Sequence, residues 1–300
     1  MRRNRGLLTT PLCFVVNMVL VYVVYAICRL VFLAVNWGMF SETMSWSAFG
    51  EILHGAWFFD TSAILYTNAL YALLMLFPIH YKETKLYQKI AKWIFVVVNS
   101  VCIVANLVDC VYFQYTTRRT TVTVFSEFRN ENNLGGIFGV EVLRHWYLVL
   151  IGILLMYALF RLYRMPRGEQ PEAIRRPYQP KPMLRYYVAH LLCLLVFVPL
   201  CVAGMRGGFT TAVRPITISN ANQYVDRPLE AAIVLNTPFS IIRTAGKPIF
   251  VVPNYYTDSQ LDAIYSPIHT PSDTLVKRKK NVVVIIIESF GREYIGGFNK

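Results

Sequence analysis

Residues 12–35 read LCFVVNMVLVYVVYAICRLVFLAV. About twenty apolar residues of helix are enough to cross the hydrocarbon core of a bilayer, and this run exceeds that. The basic start in front of it, MRRNR, would suit a signal peptide. The run is too long for one, and no small-residue cleavage site follows it. It reads as a first transmembrane helix. Four further apolar runs, over roughly 57–79, 90–115, 146–163 and 186–205, read the same way. Trp37, Trp57, Trp93, Trp146 and Tyr186 mark their ends, where amphipathic rings anchor at the membrane–water interface.

Composition agrees with that reading. Of 300 residues 55% are hydrophobic and 14% aromatic, and the mean hydropathy is +0.41. Thirty Lys and Arg stand against 17 Asp and Glu, a net charge of +13. In a soluble chain that excess would raise nucleic acid as a partner. Here the basic residues lie in short connections between apolar runs, so topology explains them and no nucleic-acid partner is expected. Cys13, Cys28, Cys102, Cys110, Cys193 and Cys201 all sit inside apolar runs, without CxxC pairs. They read as small core hydrophobes rather than a disulfide framework or a zinc site.

The basic residues also orient the chain. Arg2, Arg3 and Arg5, then Lys82, Lys85, Lys89 and Lys92, then the arginine-rich connection from Arg161 to Arg185 occupy alternate connections. They fall on one side, the cytoplasm, by the positive-inside rule. Five crossings from a cytoplasmic start then place everything after Met205 outside. The third-to-fourth connection is a loop of mixed charge, with Arg118, Arg119, Arg129 and Arg144 against Glu127, Glu131 and Glu141.

Polar residues inside apolar runs are costly and are paired or functional. Arg29, Asp60 and Asp109 fall towards the outer ends of their helices. Asn99, Asn106 and Asp109 are spaced seven and three apart and share one helix face. Two readings are open. In one, Arg29 pairs with Asp60 or Asp109 and locks the helices, or snorkels outward. In the other these residues, with Arg118 and Arg119, line a pocket for a lipid headgroup on the outer leaflet.

Residues 206–280 are not apolar enough to cross again. Pro228, Pro238 and Pro248 break them into short pieces, with one further candidate helix over 257–265, so they read as an extracytoplasmic juxtamembrane tether of short helices. The basic cluster Lys277 to Lys280 then gives way to six β-branched residues, Val282 to Ile287, closed by Glu288 and Ser289. Such a run is too short to span a membrane and reads as a strand buried on both faces, as at the centre of a parallel α/β sheet. Ligands in those sheets collect beyond the carboxyl ends of the strands, where Glu288 stands. Its plain alternative is a polar residue that closes a hydrophobic strand. Residues 281–300 are too few to bury a core, so they are expected to be poorly packed or borrowed onto another surface.

Five transmembrane helices, an outward tether and a strand ending in Glu-Ser together resemble the lipoteichoic acid synthase family, within the alkaline phosphatase and sulfatase superfamily. The features that carry the resemblance are Phe59-Asp60, the segment Asn106 to Tyr112, Arg118-Arg119-Thr120-Thr121, Asn236-Thr237-Pro238-Phe239, and Asn281 to Phe290. They run through nearly the whole chain. The resemblance implies an enzyme of the bacterial cell membrane: a five-helix anchor over 1–205, the tether over 206–280, and over 281–300 the first strand of a sulfatase-like α/β domain. It implies that Glu288 is a ligand of a divalent metal, manganese or zinc. A carboxylate oxygen suits such an ion, which would polarise a phosphoryl oxygen and activate a hydroxyl nucleophile. That nucleophile, a threonine, and the Asp-His pair and further His of the metal site would lie beyond Lys300. Ser289 has no role in it, and its side chain would point away from that of Glu288.

The expected function is the membrane part of a phosphoglycerol or phosphoethanolamine transferase. It would take a headgroup from a membrane phospholipid donor and pass it to a glycan or lipid acceptor. The 300 residues alone are expected to be catalytically inert. A membrane-bound sulfatase-like hydrolase, marked by a downstream Cys- or Ser-x-Pro-x-Arg, and a non-enzymatic membrane scaffold are the alternatives.

Overall fold

The computed structural model describes residues 7–41, 44–129, 133–166, 180–208, 215–246, 255–265 and 283–284. All regular structure among the described residues is helical. In chain order the helices are α1 (Thr9–Val35), α2 (Trp37–Phe40), α3 (Trp46–Thr67), α4 (Ala69–Leu76), α5 (Lys85–Thr116), α6 (Val124–Arg129), α7 (Leu134–Arg144), α8 (Trp146–Leu162), α9 (Pro180–Arg206), α10 (Ala231–Val234), α11 (Thr237–Thr244) and α12 (Asp258–Ile264). Short 3-10 turns occupy His80–Glu83, Ile218–Tyr224 and Pro228–Glu230. The chain divides into two units, Met1–Ile249 and Phe250–Lys300.

In the first unit, α1, α5 and α9 are each long and apolar enough to cross a membrane. The bent pairs α3–α4 and α7–α8 raise the number of possible spans to five. The bends are differences from the sequence expectation. The second run does not cross as one straight helix from Trp57. It begins at Trp46, where the Ser45 hydroxyl accepts from the Ala48 amide as an N-cap, and it turns by 67° at Asn68. The Asn68 amide group donates to the Ile64 carbonyl at 3.0 Å and meets Asn99 of α5 reciprocally, at 3.1 and 2.8 Å. A side chain that competes for carbonyls of its own helix and is tied to a neighbour holds such a break. The connection between α5 and α8, expected as a loop, contains α6 and α7, and α7 meets α8 at 83°.

The outer surface of the long helices is apolar. Val16, Val19, Val23 and Leu30 of α1 are exposed, as are Val97, Val101 and Val108 of α5 and Leu192, Leu195 and Val196 of α9. The buried side of the same helices holds Asn17, Arg29, Asn99, Asn106, Asp109 and His190. In water this arrangement would expose a continuous apolar belt, which soluble monomers avoid. Lipid is the solvent that fits it, since the belt meets acyl chains and the polar groups satisfy one another inside. Asn17 shows the pattern. Its amide donates to the Tyr71 hydroxyl at 2.8 Å and to the Arg164 carbonyl at 3.0 Å, and its carbonyl accepts from the Arg164 amide at 2.8 Å. It ties α1 to α4 and to the chain that leaves α8.

The expected tether is not one piece. Residues 215–246 belong to the first unit and 255–265 to the second. Ile233, Val234, Phe239 and Ser240 are wholly or almost wholly buried, and α10 and α11 pack on α3, while α11 also packs on α5. The first unit thus closes around this segment, because it carries apolar side chains and short-helix ends that need partners. In the second unit, α12 is started by a Thr257/Gln260 capping box. Of the expected strand only Val283 and Val284 are described; both are exposed and in neither helix nor strand. Glu288 lies outside the described residues.

Candidate functional site

The site is built where the last turns of α1 and α5 and the body of α3 meet residues 231–244. A one-turn helix such as α10 has no internal partners for its last carbonyls, which carry the negative end of its dipole. Two arginines fill that need. Arg29 of α1 donates through Nη1 to the carbonyls of Ile233, of Val234 at 2.9 Å and of Leu235 at 3.1 Å. Arg119 donates through Nε to the Ala232 carbonyl at 2.7 Å. Each arginine also pairs with a carboxylate: Arg29 with Asp60 of α3, and Arg119 Nη1 with Asp109 Oδ2 of α5 at 3.1 Å. The Arg119 guanidinium lies 3.6 Å from the centre of the Phe32 ring, a cation–π contact in a desolvated place.

The carboxylates reach onward. Asp60 accepts from the Asn236 amide at 2.8 Å, while the Asn236 carbonyl accepts from the Phe239 amide at 2.9 Å and so caps α11. Asp109 accepts from the Thr120 amide at 3.0 Å, the Thr120 hydroxyl and the Thr237 hydroxyl, the last at 2.7 Å. Asn106, one turn before Asp109, accepts from the Thr237 amide at 3.1 Å. Thr117 makes the loop possible. It ends α5 in the left-handed region, φ 54°, and turns the chain so that Arg119 folds back on Asp109. The result is a clamp in which two buried ion pairs grip the C-terminus of α10 and the N-terminus of α11.

Four of the candidate residues singled out in the sequence, Arg29, Asp60, Asp109 and Arg119, meet in this clamp. Of the two partners open to Arg29 in the sequence it takes Asp60, and Asp109 takes Arg119, a pairing that the sequence reading did not raise. Arg118 is not brought to the clamp. It is exposed and pairs with Glu127 at 3.0 Å. The Tyr112 hydroxyl, donating at 2.7 Å, together with Thr123 and Arg118, holds the Glu127 carboxyl below its ordinary pKa. The geometry favours the locking reading over a headgroup pocket, because the Arg29 and Arg119 side chains are only 5% and 3% exposed. Two clefts of about 130 and 240 Å³ share Tyr224 in their walls, and Arg29, Asp60, Asp109 and Arg119 line neither. Among the described residues no three His, Cys, Asp or Glu side chains gather where they could hold a metal ion.

A second buried polar group is one that sequence reasoning missed. Lys82 sits among the basic residues that orient the chain, and there it reads as a solvated charge. The structure buries it completely, with Nζ donating to the carbonyls of Met75 at 3.1 Å and Phe77 at 3.0 Å, at the end of α4. Beside it Glu83 accepts from the Thr10 hydroxyl at 2.9 Å and from the Tyr186 hydroxyl at 3.2 Å. Nothing in the spacing of residues 80–85 marks Lys82 apart from its neighbours, because its acceptors are backbone carbonyls of a helix end. Burial pulls the Lys82 ammonium down to about 8, against the opposing charge of Glu83. The folded protein therefore binds this proton less well than the unfolded chain does. The resulting penalty is complete below pH 8 and fades as pH rises towards the ordinary lysine value. Wild type is expected to gain thermal stability relative to Lys82→Met between pH 8 and 10; a difference in melting temperature that stays flat over that range would refute the burial of the charge.

No protein-family model, curated protein or solved structure matches this chain.

Proposed function

We propose that the first unit is the membrane module of a transferase that moves a phosphoglycerol or phosphoethanolamine headgroup from a membrane phospholipid to a glycan or lipid acceptor. One observation supports the reading. Four of the sequence features that carry the family resemblance lie far apart in the chain, at Asp60, Asn106–Asp109, Arg119–Thr120 and Asn236–Phe239, and they meet in the single clamp described above. A lipid-dependent enzyme needs its extracytoplasmic part held at a fixed height over the bilayer, because effective molarity falls steeply with a loose geometry. A clamp on residues 231–244 fixes that segment of the first unit to the helices.

In this reading the clamp residues are positioning residues and touch no substrate. The metal, manganese or zinc, would be held by Glu288 together with residues that follow Lys300, and it would supply polarisation of a phosphoryl oxygen. The orientation with the N-terminus in the cytoplasm and the clamp end outside belongs to the same proposal. Reading the coding sequence beyond the codon for Lys300 tests it. A threonine some tens of codons on, with a later Asp-His pair, is the expected result. A Cys- or Ser-x-Pro-x-Arg there would replace the transferase by a sulfatase-like hydrolase, and the lack of both would remove the enzyme reading.

A further inference from the structure

The helix α7 is 11 residues long and carries five large apolar side chains that the protein leaves open: Ile137, Phe138, Val140, Val142 and Leu143, between 43% and 77% exposed. Its sides differ. At 100° per residue, Glu141 and Arg144 share one side with Ile137 between them, Val142 and Leu143 point away from it, and Phe138 and Val140 lie at the flanks. On the polar side Glu141 accepts from the Tyr115 hydroxyl of α5 at 3.2 Å and pairs with Arg144 at 3.4 Å and with His145 at 3.5 Å. The polar side of α7 is thus turned to the end of α5.

The neighbouring helix fixes where the membrane surface runs. α8 has 17 residues and is about 25 Å long, somewhat short of the hydrocarbon core of about 30 Å. It cannot be extended straight by α7, because the two meet at 83°. Trp146, 64% exposed, stands at the junction, where an interfacial anchor would sit. A helix leaving a transmembrane neighbour at nearly a right angle, at the level of its anchor, runs along the surface. The exposed apolar side chains of α8 begin at that junction, and the open face of α7 continues them.

We propose that α7 lies flat in the lipid–water interface at the clamp end of the bundle, with Phe138, Val142 and Leu143 among the acyl chains and Glu141 and Arg144 at headgroup level. The bend at His145 then separates a true crossing, α8, from a surface helix that neither completes the span nor re-enters the membrane. An amphipathic helix of this kind buries its apolar face about 5–10 Å deep. The helix would let the bilayer thin locally to the length of α8 and would seat the α5 end at a set depth.

Spin labels on cysteines introduced singly at 138, 142, 143 and 144 test this. The full chain is reconstituted in vesicles of phosphatidylethanolamine and phosphatidylglycerol, with labelled wild type as the blank for its own cysteines. At 138, 142 and 143 collisions with oxygen are expected to exceed those with a water-soluble nickel chelate, with one common depth. At 144 the chelate is expected to dominate. Chelate dominance at all four positions would place α7 in water and overturn the proposal. A depth that grows steadily along the helix would show re-entry, and low collision with both agents would show a protein partner on this face; either overturns it too. The four positions are exposed, and an unchanged helical circular dichroism signal verifies that each variant is folded.

Discussion

Replacing Asp109 by alanine is expected to destabilise the first unit by about 3–5 kcal/mol, the range for breaking a buried ion pair by removal of one partner. Asp109 is wholly buried. Its carboxylate serves Arg119, the Thr120 amide and hydroxyl, and the Thr237 hydroxyl at once. Alanine leaves a buried guanidinium with no counter-charge and at least two donors with no acceptor. Asparagine keeps the shape and one acceptor and is expected to lose less than alanine, though it leaves the Arg119 charge uncompensated. Thermal unfolding of the full chain in lipid nanodiscs measures both. A shift for Asp109→Ala no larger than that of an exposed control such as Glu51→Ala would remove the clamp from the account of stability. If Asp109→Arg left the protein fully stable and abolished only the binding of a phospholipid headgroup, the pocket reading would stand instead of the lock.

Replacing Arg29 by alanine is expected to free residues 231–244 before it unfolds the helices. Arg29 is the shared partner of Asp60 and of three successive carbonyls at the end of α10. No other described side chain reaches those three carbonyls. The helices α1, α3 and α5 keep their own backbone hydrogen bonds in the variant, whereas the ends of the two short helices do not. A loss of about 3 kcal/mol at this contact raises the open population about a hundredfold. Trypsin cleavage after Arg243, which is half-buried and donates to the Met205 carbonyl at 3.0 Å, should accelerate on that scale when opening is faster than cleavage. Arg29→Lys is expected to rescue only part, because an ammonium lacks the planar fork that spans a carboxylate and a row of carbonyls. Unaltered cleavage after Arg243 alongside a lowered melting temperature would show that Arg29 supports the helices and not the segment.

The parts of the site legible in the sequence were those that violate a local rule. Arg29, Asp60 and Asp109 stand out because each is a charge inside an apolar run. Asn106 joins Asp109 by helical spacing alone. Arg119 is different. It lies in a connection beside Arg118, and no rule of spacing says which of the two turns inward. The left-handed Thr117 decides that, and a residue of this type is not the glycine or asparagine that would advertise such a turn. Lys82 is the opposite error. It looks like a topogenic charge and is a buried donor, because the carbonyls it meets carry no sequence signature.

The same division holds for the fold. The amino-acid sequence by itself determined that the chain belongs in a membrane and where α1, α5 and α9 lie. Hydropathy is local, and a helix in lipid satisfies its backbone without help from the rest of the chain. Only the tertiary structure decided the breaks at Asn68 and His145, the inclusion of residues 231–244 in the bundle, and the pairing of Arg29 with Asp60 and of Arg119 with Asp109. Each depends on partners far away in the sequence, 204 to 206 residues for the contacts of Arg29 with the end of α10. No periodicity along one helix reports which distant carbonyl will stand opposite a buried charge. That is fixed when the helices pack and each polar group left inside finds the partner that costs it least.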